Sequence, residues 1–207
     1  MNSYREKMTA RKTKKLPGSL REKSSGNRER ILAVALHLFT INGFHATPTE
    51  QIIKESNLSS GTLFHYFPDK NSLIDQVYLS VKKELAETIR ANDDENLPIA
   101  ERVECLVRGY VAWGTTNPEK FRFIGQFCNS PNIGEDVKKE GYQEFVRLHE
   151  IIDTAVREGY FPEMPHAYYS VMLGQVLSGI LILIERGNSN LTQEEIIRSG
   201  LDMLRKH

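Results

Sequence analysis

The sequence predicts an all-α protein in two parts, a head of three short N-terminal helices and a longer helical body. Three observations carry this. Apolar residues recur at intervals of three and four along most of the chain, the period of a buried helix face. Capping and turn residues punctuate those stretches at Asn42-Gly43, Asn57, Ser59 and Pro68-Asp69. The segment Ala167–Ile184 carries no charge and is apolar almost all round near its end, as in a helix buried on both sides.

The first helix is expected to open at Asn27, a good N-cap side chain. Ile31, Val34, Ala35, Leu38 and Phe39 form its buried stripe. Asn42-Gly43 ends it, since Gly tolerates the left-handed C-cap conformation, and Phe44 folds back onto the stripe. Thr47-Pro48-Thr49-Glu50 reads as the next start. Thr47 caps, Pro48 takes the first helical position, and Glu50 supplies a capping-box carboxylate. Ile52 and Ile53 give this second helix its apolar face. Asn57 stands at a sharp turn, where a residue tolerant of the left-handed region is needed, and Leu58 plugs the gap. Ser59 caps the third helix, with Leu63 and Phe67 as inward anchors. Gly61 permits close approach of backbone to a phosphate, and the helix N-terminus offers N–H groups to it. Pro68-Asp69 stops the helix, Asp69 caps a fourth, and Lys70 lies at its start. Two short helices joined by a tight turn, the second with a polar and aromatic outer face, can place a helix in the major groove of DNA.

Two motifs sharpen that reading: G-F-x-x-x-x-T-x-x-I from Gly43, and L-S-x-G-T-L-F-x-Y-F-x-x-K-x-x-L from Leu58. From about Arg28 to Leu73 the chain resembles the TetR (tetracycline repressor) family of bacterial transcriptional regulators. The resemblance implies an all-helical homodimer whose first three helices bind double-stranded operator DNA. The remaining helices would form a ligand and dimer domain. Thr49 matches a threonine that often touches phosphate, Ser60 and Thr62 fall at recognition-helix positions, and Tyr66 and Lys70 match backbone-contacting positions. Phe64 stands where the family usually has Tyr, which removes a phosphate hydrogen bond. Ile53 replaces a usual Ala and Asn57 a usual Gly; Glu50 is acidic near the DNA surface and reads as a cap. The expected DNA-binding set is Thr49, Ser59, Ser60, Gly61, Thr62, Phe64, His65, Tyr66 and Lys70.

A chain of 207 residues can bury a substantial core without staples. Its formal net charge is zero but unevenly spread: +6 over residues 1–26, −1 over 27–75 and −5 over 76–207. Residues 1–26 are expected to be a disordered basic tail, 27–75 the DNA-binding domain, and 76–207 the ligand and dimer domain. The tail has too few large apolar residues to fold alone and no apolar segment of a signal peptide. It serves as a DNA-following arm or simply as a solvated extension. Two cysteines without a motif read as free thiols of a cytoplasmic protein. The six His and two Cys show no metal-ligand spacing. No P-loop, dinucleotide fingerprint or G-x-S-x-G turn is found, so neither catalysis nor a cofactor is expected. The acidic pairs Asp93-Asp94 and Glu194-Glu195 read as a solvated linker and a helix start.

In the body, helices are expected at about 70–89, 98–116, from Pro118, 134–158, 167–184 and 192–206. Tyr110, Trp113, Phe121, Phe127, Phe145, His149, Tyr168, Tyr169, Met172 and Gln175 are the candidate lining of an effector pocket, mostly apolar with a few polar groups; core filling accounts for the same aromatics. Val176, Leu177, Ile180, Leu181, Ile184, Ile197, Leu201 and Leu204 are the candidate dimer interface. Gly174, Ser178 and Gly179 permit close helix approach. A membrane span is not expected, because Tyr168, Tyr169, Ser170, Gln175 and Ser178 leave too short an apolar run for the ~20 residues a span needs. The reading is a regulator, in particular a repressor released by a small apolar or amphipathic molecule. Its rivals are the same fold controlled by a protein partner, and a helical enzyme or carrier that binds no DNA.

Overall fold

The computed structural model describes residues 18–187 and 190–205, and every regular element among them is an α-helix. The head consists of α1 (Gly18–Asn42), α2 (Thr49–Ser56) and α3 (Ser60–Tyr66). Ile31, Ala35 and Phe39 of α1, Ile52 of α2, and Leu63 and Phe67 around α3 meet in one fully buried centre.

Two expectations for the head need correction. α1 opens at Gly18, not Asn27, so residues 18–26 of the expected tail are helical; residues 1–17 lie outside the described residues. Leu20, Arg21, Glu22 and Lys23 are good helix formers, and extending a helix already nucleated by a buried stripe costs little. Thr47 does not cap α2. It is fully buried, and its hydroxyl lies 2.8 Å from the Gly43 carbonyl and 3.2 Å from that of Leu38. It thereby ties the turn after α1 back onto the last turns of that helix. Pro48 becomes the N-cap residue of α2, which has no side-chain cap, so Glu50 closes no capping box.

The body comprises α4 (Lys70–Ala91), α5 (Ile99–Thr116), α6 (Pro118–Phe127), α7 (Glu135–Gln143), α8 (Val146–Arg157), α9 (His166–Arg186) and α10 (Gln193–Asp202). α4 packs on α1, α5, α6, α7 and α8, and runs unbroken past residue 75. Head and body therefore share this helix. α5 meets α9 closely at Gly114, where a Cβ would lie 2.3 Å from the Leu181 side chain. α9 meets α10 at Gly200, where a Cβ would lie 2.6 Å from Ile180.

The single helix expected over 134–158 is two, broken at Glu144-Phe145. The break turns Phe145 inward, and its ring takes the Lys82 ammonium at 4.2 Å. Asp93 is not part of a solvated linker. Its side chain is 4% exposed and accepts hydrogen bonds from Arg102 (2.9 and 3.0 Å) and Arg147 (2.9 Å). Two guanidiniums outweigh the desolvation of one carboxylate and fasten the α4–α5 link to α8.

The apolar run of α9 is also longer than expected. Ala167–Arg186 has 20 residues and a mean hydropathy of 1.8, long and apolar enough to cross a bilayer, and 29% of its apolar window is buried in the protein. A few Ser and Tyr do not offset its Leu, Ile and Val residues when averaged over a helix.

Candidate nucleic-acid interface and body cavity

Short-range contacts place the candidate DNA face. Asn57 has φ 53° and ψ 43°, the one non-glycine residue with positive φ among the described residues. Its N–H reaches the carbonyls of Ile53 and Lys54, and this left-handed residue turns the chain from α2 into α3. Ser59 then caps α3 by accepting from the Thr62 N–H at 3.1 Å, and its hydroxyl also pairs with the Thr62 hydroxyl at 2.9 Å. Leu63 and Phe67 pin one side of α3 to the core. Ser60, Gly61, Phe64 and His65 are left exposed, with Thr62 and Tyr66 half-buried.

At the far end, Asp69 and Ser72 form a reciprocal capping box at 2.7 and 3.1 Å and start α4 at Lys70. The Lys70 ammonium lies 4.3 Å from the centre of the Phe44 ring, and partial burial lowers its pKa. This contact holds a flexible cation in place directly after α3. Thr49 is half-buried at the start of α2, with its hydroxyl 3.4 Å from the Glu50 carboxylate.

The body's candidate pocket residues meet only in pairs, Tyr110 with Trp113 at 6.3 Å and Tyr168 with Tyr169 at 5.5 Å between ring centres. Trp113 is 4% exposed, and its indole N–H donates to Glu84 at 3.1 Å, a carboxylate also held by Lys120 at 2.6 Å. Phe121, Phe127, Phe145 and Tyr169 are buried, and the Tyr169 hydroxyl donates to the Pro162 carbonyl. His149 stacks on Tyr142 at 4.1 Å, while Tyr168, Met172 and Gln175 face outward. A cavity lies deeper, among Ile89 of α4, Val103, Leu106, Val107 and Tyr110 of α5, Leu148, Ile151 and Ile152 of α8, Phe161, and Leu173 and Leu177 of α9. Tyr110 alone belongs to both sets. Burial pushes its hydroxyl up to about 12, against a hydrogen bond with Ser178. The cavity measures about 20 Å³, room for roughly one water. Its lining is mostly aliphatic, from stripes that the sequence displays as core, with Tyr110 and Phe161 as its aromatic members. A gap between stripes leaves no mark in composition, so aromatic residues alone do not locate it.

The candidate dimer residues divide as well. Leu177, Ile180, Leu181, Ile197, Leu201 and Leu204 are buried within the protomer, and only Val176 and Ile184 are partly open. The apolar residues that α9 does expose are Tyr168, Val171 (59%), Met172, Ile182 and Leu183 (48%). Gly174 and Gly179 have no atom within 4 Å of where a Cβ would stand. Those small residues were the available signal for this outward face.

An all-helical body carrying a capped helix–turn–helix head, with one side of its second helix free, defines the class of helix-turn-helix proteins. Residues 31–77 match the family described as bacterial regulatory proteins, tetR family. The HTH-type transcriptional regulator YxaF of Bacillus subtilis, itself described as uncharacterized, is 34% identical over 83 residues, 40% of this chain and 44% of that protein. The match therefore spans less than half of that relative. YhgD of the same organism, likewise described as an uncharacterized regulator of this type, is 29% identical over 137 residues, 66% of this chain and 70% of its own length. A crystal structure from Marinobacter aquaeolei VT8, described as a TetR family transcription regulator, superposes with a TM-score of 0.81 at 18% identity, covering 90% of this chain and 100% of that one. One from Shewanella sp. PV-4, assigned to the same family, gives 0.79 at 25% identity over 87% of this chain and 99% of that one. Residues 31–77 thus carry the sequence pattern of the tetR family, and the chain as a whole shares its fold with solved structures described as TetR family regulators.

Proposed function

We propose that the protein is a dimeric, cytoplasmic DNA-binding regulator of transcription, a repressor released from a palindromic operator by a small apolar or amphipathic molecule. The observation that carries this reading is the outer side of α3, left free by a turn and two caps while its inner side is anchored. One seven-residue helix reads few base pairs, so two heads related by a two-fold axis are needed for a specific site. The exposed apolar side of α9, with its open glycines, is the face a second copy would cover. The tetR-family match over residues 31–77 and the description of the relatives as HTH-type transcriptional regulators support this over a membrane role for that helix.

Effector control rests on the cavity and on α4. A drug-sized ligand needs several hundred Å³, far more than the cavity offers, so an effector must push the lining helices apart as it enters. α4 lines the cavity at Ile89 and begins beside α3 at Lys70, so a displacement there reaches the head. A ligand acts only through its differential affinity for the two conformations; ~3 kcal/mol would change operator affinity roughly a hundredfold. The smallness of the cavity also favours a second reading, control by a protein partner. The test is a gel-shift series on duplex DNA from upstream of the protein's own gene, repeated with hydrophobic drugs, fatty acyl compounds and aromatic metabolites. The first reading expects specific binding and a compound that both releases DNA and alters the emission of Trp113. Specific binding that no compound releases supports the partner reading. Absence of DNA binding at low salt overturns both.

A further inference from the structure

A helix that enters the major groove usually brings side chains that make two hydrogen bonds to one base: Arg or Lys to guanine, Asn or Gln to adenine. α3 brings none, its sequence being Ser-Gly-Thr-Leu-Phe-His-Tyr. The Thr62 hydroxyl is engaged by Ser59, and His65 can make one hydrogen bond per ring nitrogen. What the helix does present is Phe64, 46% exposed and with no hydrogen-bonding group. At 3.6 residues per turn, Phe64 stands one turn beyond Ser60 and Gly61. Helical side chains lean toward the N-terminus, so the ring projects over these two small residues. A Cβ at Gly61 would find only the Ser59 hydroxyl, at 3.9 Å. Nothing bulky stands between the ring and a surface on which the N-terminal half of α3 rests, the half that meets base edges in a helix-turn-helix.

The one apolar group on the major-groove floor is the C5-methyl of thymine. We propose that Phe64 is a specificity-determining residue that reads thymine, its ring packing on that methyl in each half-site. The inference rests on the DNA-binding reading above and adds the base class that this head selects. Tyr66 and Lys70, as phosphate contacts, would position the helix without carrying base information.

The experiment uses the full-length protein. Duplexes are enriched from a random-sequence library, and the winner is resynthesised with deoxyuridine replacing thymidine at each position in turn, which removes only the methyl. The expected result is one symmetry-related pair of positions at which the change weakens binding by about fourfold per half-site, the equivalent of ~0.8 kcal/mol for one buried methyl-sized group. Phe64→Ala should bind the thymidine and deoxyuridine duplexes equally, whereas Phe64→Tyr, which keeps the ring, should retain the preference. Because Phe64 is exposed, both variants should keep the wild-type melting temperature. Three results overturn the proposal while leaving DNA binding intact: no position sensitive to deoxyuridine, selected half-sites without thymine beneath α3, or a Phe64→Ala variant that still discriminates. No enrichment of any duplex would instead sink the DNA-binding reading itself.

Discussion

Ser59 caps α3 through Thr62, and Asp69 caps α4 through Ser72, each three residues away. In the body, Asp93 is held by Arg147, 54 positions later, and Gly114 owes its form to Leu181. The head is thus built from instructions read within a turn of helix. The body is built from agreements between distant parts of the chain. The contrast has an energetic side. A local instruction such as a cap contributes about 1 kcal/mol and can be replaced by another. A distant agreement in a packed interior fails as a unit when one party changes, because the other is left buried without a partner.

The largest expected effect breaks the body outright. Leu201→Glu with Leu204→Glu puts two charges where the wild-type side chains are 2% and 5% exposed. The variant should lose at least ~4 kcal/mol, seen as an early urea transition or an insoluble product. Val171→Glu with Leu183→Glu is the matched control on the outward side of α9. It should keep its helical circular dichroism but sediment as a monomer. A stable dimer of the control would move the interface elsewhere.

Next comes Asp93→Ala, which takes from Arg102 its carboxylate while Arg147 keeps Glu95 and Glu150, and which should cost about 2 kcal/mol in chemical denaturation. Burial acts to raise the Asp93 pKa, but the hydrogen bonds and charges of Arg102 and Arg147 outweigh it and hold the carboxyl below its ordinary 3.8. A lowered carboxylate stabilises the fold fully above its unfolded pKa, and the contribution is lost as pH falls through the folded value. The difference between wild type and variant should therefore be constant from neutral pH down to about 4 and shrink only below it. A difference that already shrinks between about pH 7 and 5 would contradict the assignment.

In the head, Tyr66→Ala and Lys70→Ala should each weaken DNA binding about tenfold, alike on operator and random duplex, since phosphate contacts are blind to sequence. Wild-type affinity at moderate salt in both would mean that α3 does not face DNA. The smallest effect tests locality itself. Asn57→Gly keeps the left-handed turn and should change stability by no more than ~0.5 kcal/mol in either direction. A larger loss would show that the Asn side chain serves something beyond its backbone angle.

These differences also explain what the residues disclosed. Asn57, Ser59, Asp69, Leu63 and Phe67 each announce a role through their immediate neighbours, and the helix-turn-helix follows from them. Thr47 misled because its buried hydroxyl serves α1, the helix before it, and not α2. Phe145 looked like one more residue of a long helix because nothing in its own segment records the Lys82 ammonium waiting on α4. Leu201 and Leu204 showed only that one side of α10 is apolar. Whether that side meets α9 of the same protomer or of another is settled by packing, and here it closes within the protomer. The exposed stripe from Tyr168 to Leu183 was hidden by a helix apolar nearly all round.

The two-sided attachment of the head limits how it can move. α1 rests on α4, where Arg28 reaches Gln76 at 2.6 Å. It also rests on α6, where His37 meets Glu119 at 2.7 Å and Gln126 reaches the Thr40 carbonyl at 3.2 Å. A rigid piece fastened at one point can tumble in any direction, whereas one fastened at two can swing only about the line joining them. A push from the body would thus become rotation about a single axis. In a symmetric pair, two such axes would turn opposite rotations into one quantity, the span between the recognition helices.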